Sequence, residues 1–291
     1  MSIESIRSNN SLDKLLGAVN QEKAPVEKKS YTDERIWKGE LDKSGNGYAV
    51  LRFLPAVHGE ELPWVKMYSH AFQGPTGQWY IENSRTTINQ KDPVSEYNSK
   101  LWNTGVESDK EIARKQKRKL SYYSNVYIVS DPKHPDNEGK VFLFKYGKKI
   151  YDKILAAMQP EFQDEKPLNP FDPFSGANFK LKIRKVDGYW NYDKSEFESV
   201  SALADNDEKI KSVWSTQHAL KPFLAADNFK TYDELKEKLN RVLSGARKTE
   251  SVEAADLPPQ QNGAVKSMND SPAASEDDDT MSYFSKLAED E

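Results

Sequence analysis

The chain of 291 residues contains no cysteine, and that absence excludes several kinds of chemistry. Without thiols a protein cannot form disulfides, hold zinc through thiolates or use a cysteine nucleophile. The four histidines are scattered along the chain and none is spaced as a helical metal-binding pair: they are His58, His70, His134 and His218. The sequence therefore offers few side chains for metal binding or nucleophilic catalysis.

Long apolar segments are also missing. No stretch approaches the roughly 20 apolar residues that a membrane-spanning helix needs, and the N-terminal sequence MSIESIRSNN lacks the apolar segment of a signal peptide. The mean hydropathy of -0.84 describes a polar chain, in which flexible segments accompany a folded part. We expect a cytoplasmic protein without a membrane partner.

The sequence signatures of common enzymes are absent too. No Walker motif, G-x-G-x-x-G, H-E-x-x-H or G-x-S-x-G pattern occurs. An acidic cluster that could bind two metal ions occurs only at 276–279, inside a polar C-terminal run that is typical of a solvated tail. We therefore expect neither catalysis nor a cofactor.

Charge is distributed unevenly along the chain. The net charge is -4 at pH 7, but the last 41 residues contain ten acidic residues and two lysines, which leaves 40 basic and 36 acidic residues in the first 250. This split describes a mildly basic body followed by an acidic tail. We divide the chain into an N-terminal arm at 1–30, a folded core at 31–248 and a disordered acidic tail at 249–291.

Strand signals dominate the first part of the core. Strands are predicted at Val65–Phe72, Gln78–Glu82, Tyr122–Val129, Val141–Tyr146 and Phe179–Arg184, with a hairpin at Trp37–Leu54. Residues 83–105 show no periodicity. Helices are predicted at Lys148–Met158, Glu208–Leu224 and Thr231–Leu243, and the last begins with a capping box of Thr231 and Glu234. The pattern indicates a mainly β, α+β fold, of the five-stranded oligonucleotide-binding (OB) barrel type, with C-terminal helices.

Basic and aromatic residues concentrate between residues 114 and 153, which include eleven basic and four acidic residues. Lysine and arginine neutralise phosphates, and aromatic faces accept stacked bases of any identity. Further on, a strand with alternating Lys180, Lys182 and Arg184 precedes the aromatic run 189–192. The pattern predicts a groove for single-stranded nucleic acid, and the alternative interpretation is a solvated charged face over core tyrosines.

Several segments resemble one known family. They include Gly45-Asn46-Gly47 with Arg52-Phe53-Leu54-Pro55, Gln78-Trp79-Tyr80-Ile81-Glu82, Asn137-Glu138-Gly139-Lys140-Val141-Phe142, Gly147-Lys148-Lys149-Ile150 and Gly176-Ala177-Asn178-Phe179. In this order, over about residues 35–195, the chain resembles the replication single-stranded-DNA-binding proteins of T-even-type bacteriophages, also called helix-destabilising proteins.

The resemblance implies an OB barrel interrupted by a small subdomain, here at about 66–104, with a DNA cleft between the two. It implies that bases stack on Trp102, Tyr122, Phe144, Tyr189 and Tyr192. The cleft cations that it implies, with their basic neighbours, are Arg52, Arg114, Lys115, Lys117, Arg118, Lys119, Lys145, Lys148 and Lys149.

The resemblance also raises the question of zinc, which such proteins usually hold in the small subdomain through one histidine and three cysteines. The corresponding positions here are His70, Ser84, Asp92 and Ser95. Serine is a poor zinc ligand, and one histidine with one aspartate does not complete a four-coordinate site. We expect a zinc-less variant, with this subdomain held by packing of residues such as Trp79, Tyr80, Tyr97 and Trp102.

The resemblance also implies roles for the N-terminal arm and the acidic tail. The family's arm mediates cooperative self-association along DNA, a role that would fall to Arg7, Ser8, Ser11 and Lys14. The tail would bind phage replication and recombination proteins through Asp277, Asp278, Asp279, Phe284 and Leu287. The expected function is to coat and protect single-stranded DNA during replication, recombination and repair in the cytoplasm of the infected bacterial host. A single-stranded RNA-binding translational regulator is the alternative.

Overall fold

A computed structural model describes residues 33–162, 164–186 and 188–244, and the account below concerns the unit that begins at Arg35. The arm with Arg7, Ser8, Ser11 and Lys14, and the tail with Asp277, Asp278, Asp279, Phe284 and Leu287, lie outside these residues. The strands are β1 (Ile36–Trp37), β2 (Gly47–Phe53), β3 (Val65–Gln73), β4 (Trp79–Asn83), β5 (Lys119–Ser130), β6 (Val141–Tyr146), β7 (Ala177–Val186), β8 (Tyr189–Asn191) and β9 (Glu196–Val200). The helices are α1 (Pro93–Asn103), α2 (Glu107–Gln116), α3 (Lys148–Met158), α4 (Asp207–Ser215) and α5 (Tyr232–Ser244).

The sheet is arranged around β2. This strand pairs antiparallel with β5 on one side and with β7 on the other. Beyond β5 come β6 and then the parallel β1, and both β8 and β9 pair with β7. Over the described residues no ladder joins β6 to β9, so the sheet stays open. The mainly β, α+β class is confirmed, whereas the pairing does not by itself close a barrel.

The chain between β2 and β5 extends the sheet and adds two helices to it. β3 pairs with the N-terminal half of β5, and β4 pairs with β3 as a hairpin. Residues 83–105, which show no periodicity, contain α1: Asp92 caps this helix through the amides of Val94 and Ser95, with Pro93 at its first position. The signal was a capping residue followed by proline, and it was missed because the helix has a weak apolar stripe.

The hairpin predicted at Trp37–Leu54 is wrong. Asp42 does close a local turn, since its carboxylate accepts from the amides of Ser44 and Asn46. Trp37, however, is buried against β6, where its ring contacts Phe144 and its Nε1 donates to Asp131 at 2.8 Å. The long-range contacts of one aromatic residue therefore pair β1 with β6 rather than with β2.

The main core lies on one face of the sheet and is rich in aromatic rings. The Phe53 ring lies within 5.6–6.4 Å of five others, centroid to centroid, which belong to Phe144, Tyr146, Phe171, Phe179 and Phe197. α3 covers this core with Ile150 and Ile154, which confirms the helix predicted at 148–158. Such rings combine large apolar burial with favourable edge contacts. The strands of the central sheet therefore share one hydrophobic core.

A second core attaches the C-terminal helix to the chain between β2 and β5. Phe72, Tyr80 and Val94 pack against the α5 residues Leu235, Leu239 and Val242. The predicted capping box of α5 is confirmed, since the Thr231 amide donates to Glu234 and the Glu234 amide donates to the Thr231 hydroxyl. The helix predicted at 208–224 ends at Ser215 as α4, and a short 3-10 turn at Lys221–Leu224 follows. Among the helices of the described segments, none has the length and apolarity to span a membrane.

Candidate nucleic-acid interface

The basic cluster and the aromatic pair that follows it meet at β5, whose successive side chains point to opposite faces of the sheet. Tyr122 points into the core and is only 4% exposed; its ring stacks on Tyr151 with centroids 3.9 Å apart. Phe144 is 6% exposed and belongs to the same core. Both rings were expected to accept bases, but their faces are occupied by neighbouring side chains. Tyr123 points to the other face and is half-buried.

A groove of about 310 Å³ runs over that other face, between the β3–β4 hairpin and β6. Tyr123 pairs across the ladder with Lys145, and the Lys145 Nζ lies 5.7 Å from the Tyr123 ring centroid. On its other side Tyr123 contacts Phe223, with ring centroids 4.8 Å apart. We call this feature the sheet groove; its lining residues are Met67, Ser69, Ile81, Glu82, Asn83, Ser121, Tyr123 and Lys145.

The electrostatics of the sheet groove favour an anion. Partial burial in the groove, and then the nearby positive charges of Lys38 and Lys119, lower the pKa of Lys145. One side of the Lys145 side chain remains open to solvent. The acid that lines the groove, Glu82, is paired with Lys230 at 2.7 Å and Lys238 at 2.6 Å. A phosphate beside Lys145 would relieve repulsion among three like charges, so the groove is suited to a nucleic-acid backbone.

Cations also lie over aromatic rings on the opposite face of the sheet. The Arg118 guanidinium carbon is 4.0 Å from the Tyr68 ring centroid. The Lys66 Nζ is 6.0 Å from the centroids of both Tyr122 and Tyr151. Lys66 and Tyr68 were not predicted, because they precede the basic cluster by some fifty residues; their alternation along one strand was the available signal.

A similar arrangement joins α1 to α2. Lys110 and Arg114 lie 5.7 and 5.4 Å from the Trp102 ring centroid. Arg114 also pairs with Glu107 in its own helix at 2.6 Å, and Lys115 is exposed on α2. The predicted residues Trp102 and Arg114 are therefore brought together, and a ring beside a cation is the chemistry that holds a base and its phosphate.

Comparison with known proteins identifies the family. The model of the family described as gp32 DNA binding protein like matches residues 45–243, from the turn before β2 to the end of α5. The chain belongs to this family. A single-stranded DNA-binding protein of Enterobacteria phage T2 is 40% identical over 224 residues, which are 75% of this chain and 72% of the relative.

Two further relatives carry the same name. The protein of Enterobacteria phage T4 is 40% identical over 224 residues and is covered to 73%, and that of Enterobacteria phage RB70 is 43% identical over 98 residues, 32% of this chain and 80% of the relative. The resemblance inferred from the sequence is thereby confirmed. The gp32 family and the named relatives are DNA-binding proteins, which supports the expectation that the chain is not an enzyme.

Arg52 does not lie where the gp32-family resemblance placed it. Instead of lining a cleft, it is fully buried. Its Nη2 donates to the backbone carbonyls of Asp172 at 2.9 Å and Ser201 at 2.7 Å. Burial lowers the Arg52 pKa, and the Asp172 carboxylate acts in the opposite direction. Gly176 has no room for a Cβ, which would lie 3.0 Å from Nη2, so this guanidinium fixes a turn and is not available to DNA.

The remaining predicted residues lie apart from the sheet groove. The basic residues of β7 are neutralised in ion pairs, Lys180 with Glu198 at 2.9 Å, Lys182 with Glu196 at 2.7 Å and Arg184 with Asp193. Tyr189 is exposed on β8, at the opposite end of the strand order from β6, and Tyr192 packs against the main core. At the start of α3, Lys148 pairs with Asp152 at 2.9 Å and Lys149 is half-buried.

Lys117 and Lys119 connect α2 to β5 and are both half-buried. Lys119 lies on the groove face, since it pairs with Ser69 across the ladder. The interface predicted from sequence thus separates into three places: the sheet groove, the opposite face with Arg118, and the α1–α2 surface.

The four positions at which the resemblance implied zinc ligands do meet in space. His70, Ser84, Asp92 and Ser95 are each at most 3% exposed. Asp92 Oδ1 accepts from the amides of Val94 and Ser95, and its Oδ2 accepts from the Ser84 hydroxyl and the Arg85 amide. His70 donates through Nδ1 to the Gln116 carbonyl at 2.9 Å, and its Nε2 lies 3.3 Å from Asp92 Oδ1.

These residues do not fit a zinc ion. Four donors already occupy the Asp92 oxygens, the His70 Nδ1 is used by a carbonyl, and the serine hydroxyls are neutral. Burial opposes ionisation of Asp92, but the hydrogen bond and charge of His70, together with the amides of Ser95 and Arg85, outweigh it and lower the pKa to about 2. Within the described residues there is no cluster of three or more His, Asp or Glu side chains that could hold a metal. The hydrogen bond from His70 to the Gln116 carbonyl ties β3 to α2, and the hydrogen bonds of Asp92 tie the segment after β4 to α1.

Proposed function

We propose that the chain binds single-stranded DNA without sequence preference, with the sheet groove as its principal site. The observation that carries the proposal is the cross-strand pair of Tyr123 and Lys145 inside a concave surface. A ring supplies a stacking face for any base, and a lysine beside it supplies a contact for the following phosphate. The names of the relatives support DNA as the polymer, and neither they nor the family description supports the RNA regulator.

The strand order supports an OB fold. Read from β6 through β5, β2, β7 and β9, the pairing follows the order of a five-stranded OB sheet. The sheet is not closed, because no ladder within the described residues joins β6 to β9. In this assignment β3, β4, α1 and α2 are an insertion between the first two OB strands. OB folds bind oligonucleotides on the face of their second and third strands, which here are β5 and β6, the two strands that carry Tyr123 and Lys145.

Four expectations from the sequence belong to the same proposal. The arm at 1–30 mediates cooperative contacts between neighbours on DNA, and the acidic tail at 249–291 binds phage replication and recombination proteins. The protein acts inside the infected bacterial cell, where it coats and protects single strands during replication, recombination and repair. It works without zinc, an expectation that the saturated hydrogen bonding of Asp92 supports.

Equilibrium titration with oligomers of equal length tests the function. We expect single-stranded DNA to bind far more tightly than a duplex, because stacking needs exposed bases, and we expect little dependence on base sequence. The affinity should fall with salt with a log–log slope of about -0.7 for each neutralised phosphate. A matched RNA oligomer in the same titration compares the two polymers.

Substitution of one lysine locates the site. Lys145→Ala should reduce the salt slope by about 0.7 and weaken binding, whereas Lys211→Ala, an exposed lysine on α4, should leave both unchanged. Equal affinity for duplex and single strand would exclude the proposed function. An unchanged slope for Lys145→Ala would exclude the groove as its site.

A further inference from the structure

Tyr68 lies on β3, on the sheet face opposite the groove, with Arg118 over its ring. Strand alternation places Met67 in the groove and its neighbours Lys66 and Tyr68 on the other face. Both Tyr68 and Arg118 are half-buried, so the pair remains accessible to solvent. The separation of 4.0 Å between the guanidinium carbon and the ring centroid is a stacking distance.

Hydrogen bonds hold the backbone of Tyr68 in a fixed position. The Tyr68 amide donates to the Thr87 hydroxyl at 2.9 Å, and its carbonyl accepts from the Ser84 amide at 2.8 Å. Across the ladder Tyr68 pairs with Leu120 of β5. A ring carried on an ordered backbone loses less conformational entropy when a ligand stacks on it than a ring on a flexible loop would.

The charges beside Tyr68 favour a polyanion. Lys66 is two residues away on the same face, with its Nζ over the Tyr122–Tyr151 pair. The acid of that neighbourhood, Asp152, is engaged by Lys148 at 2.9 Å. The surface thus combines an aromatic face with two cations, as the sheet groove does.

We propose that Tyr68 is a second platform for a nucleobase, which Arg118 uncovers by moving from the ring to a backbone phosphate. This inference rests on the proposed function and extends the DNA path beyond the groove. Arg118 and Lys119 are consecutive and point to opposite faces at the start of β5, about 3.3 Å apart along the strand. A DNA strand that leaves the groove beside Lys119 therefore reaches Arg118 by passing around the N-terminal end of β5.

The exchange at the ring is favourable. A stacked base contributes more than an accessible cation–aromatic pair, and Arg118 gains a charge-assisted hydrogen bond to phosphate in place of the ring. Binding thus replaces one partner of Tyr68 with a stronger one.

Four variants and two oligomers of equal length, one with normal bases and one abasic, test the inference. Tyr68→Ala should weaken binding of the normal oligomer about 5-fold to 100-fold, with an unchanged salt slope and unchanged binding of the abasic oligomer. Tyr68→Phe keeps the ring and should bind as the parent does. Arg118→Ala should weaken binding of both oligomers and reduce the salt slope by about 0.7. Tyr48→Ala removes another tyrosine, 45% exposed on β2, and should change nothing.

The outcomes separate the two proposals. If the parent binds single strands and Tyr68→Ala binds equally well, the inference is wrong and the proposed function stands. If Tyr68→Phe loses as much as Tyr68→Ala, or the abasic oligomer shows the same loss, the residue acts through the fold and not through a base. Thermal melting checks each variant, and Tyr68→Leu, which keeps apolar bulk without a ring, replaces Tyr68→Ala if the latter does not fold. Failure of the parent to bind single strands would remove both proposals.

Discussion

At the residue scale, the consecutive residues Tyr122 and Tyr123 lie in different environments, because successive side chains of a strand point to opposite faces. Tyr122 is enclosed between Tyr151 and Tyr146, with ring centroids 3.9 and 5.6 Å away. Burial first, and then the nearby Tyr151, Tyr68 and Asp152, raise the Tyr122 pKa well above its usual range. Tyr123 lies in the sheet groove beside Lys145. A mutation at each position should therefore change a different property of the protein.

We expect Tyr123→Ala to weaken single-stranded DNA binding by about 1–3 kcal/mol, while the melting temperature falls less than for Tyr122→Ala, because Tyr123 is half-buried and packs against Phe223. Tyr122→Ala leaves a cavity in the aromatic core and should lower the free energy of unfolding by about 3–5 kcal/mol. Thermal melting and oligomer titration of both variants measure the two effects, with Tyr123→Phe as the control that keeps the ring. A reversal, with Tyr122→Ala stable and deficient in binding, would place the DNA on the other face of β5.

At the element scale, the β3–α2 segment depends on the buried pair of His70 and Asp92. Asp92 is at once the N-cap of α1 and the acceptor for Ser84 and Arg85. Its carboxylate therefore fixes the end of β4 relative to the helix, and His70 extends the connection to the end of α2 through the Gln116 carbonyl.

Asp92→Asn should destabilise this segment by roughly 1–3 kcal/mol, because one side-chain atom becomes a donor that faces the donors of its partners. The pKa of Asp92 is about 2 in the folded chain and 3.8 without these contacts. Its stabilising contribution is thus present above about pH 4 and is lost as the pH falls towards 2. Melting curves from pH 7 to pH 2.5 should show this loss in the parent and a smaller one in Asp92→Asn. Asp109→Asn, on α2, serves as the control; identical acid profiles in all three proteins would contradict the assignment.

The same hydrogen bonding gives an expectation for metal. A chelator should leave the melting temperature of the purified protein unchanged, because the Asp92 oxygens already accept four hydrogen bonds and the His70 Nδ1 donates to the Gln116 carbonyl. Elemental analysis supplies the second measurement. One zinc ion per chain, or a chelator-dependent fall in melting temperature, would show that the chain holds the metal elsewhere or in another conformation.

At the scale of the whole molecule, the acidic tail opposes a basic body. The last 41 residues carry a net charge of -8, from ten acids and two lysines, against +4 on the first 250, from 40 basic and 36 acidic residues. Charges of opposite sign on one chain compete with DNA for the same cations, and salt screens that competition.

Truncation after residue 250 should therefore raise the affinity for single-stranded DNA at low salt, with a difference that shrinks as salt rises. It should also abolish binding to phage replication and recombination proteins. Titrations of the full and shortened chains at several salt concentrations provide the measurement, and a chain in which the tail acids are replaced by the corresponding amides is the matched control. An unchanged affinity at low salt would show that the acidic tail does not compete with DNA for the basic residues.

The sequence alone determined the elements with strong local signals. The strands β3–β7, the helix α3 and the capping box of α5 follow from apolar periodicity and side-chain capping, which depend on near neighbours along the chain. The family also followed from the sequence, since its segments are local patterns in a fixed order. The prediction of a nucleic-acid interface rests on the same kind of local pattern, the concentration of cations and rings between residues 114 and 153.

Only the tertiary structure decided which of those residues line a groove and which are buried in the core. Face and burial depend on register between strands that are distant in sequence, and this register places Tyr123 in the groove and Tyr122 in the core. It likewise buries Arg52 against carbonyls more than 100 residues away and brings Arg118 over Tyr68. Composition shows that a charge is present, but only the folded chain determines whether that charge is solvated, paired or placed beside a ring.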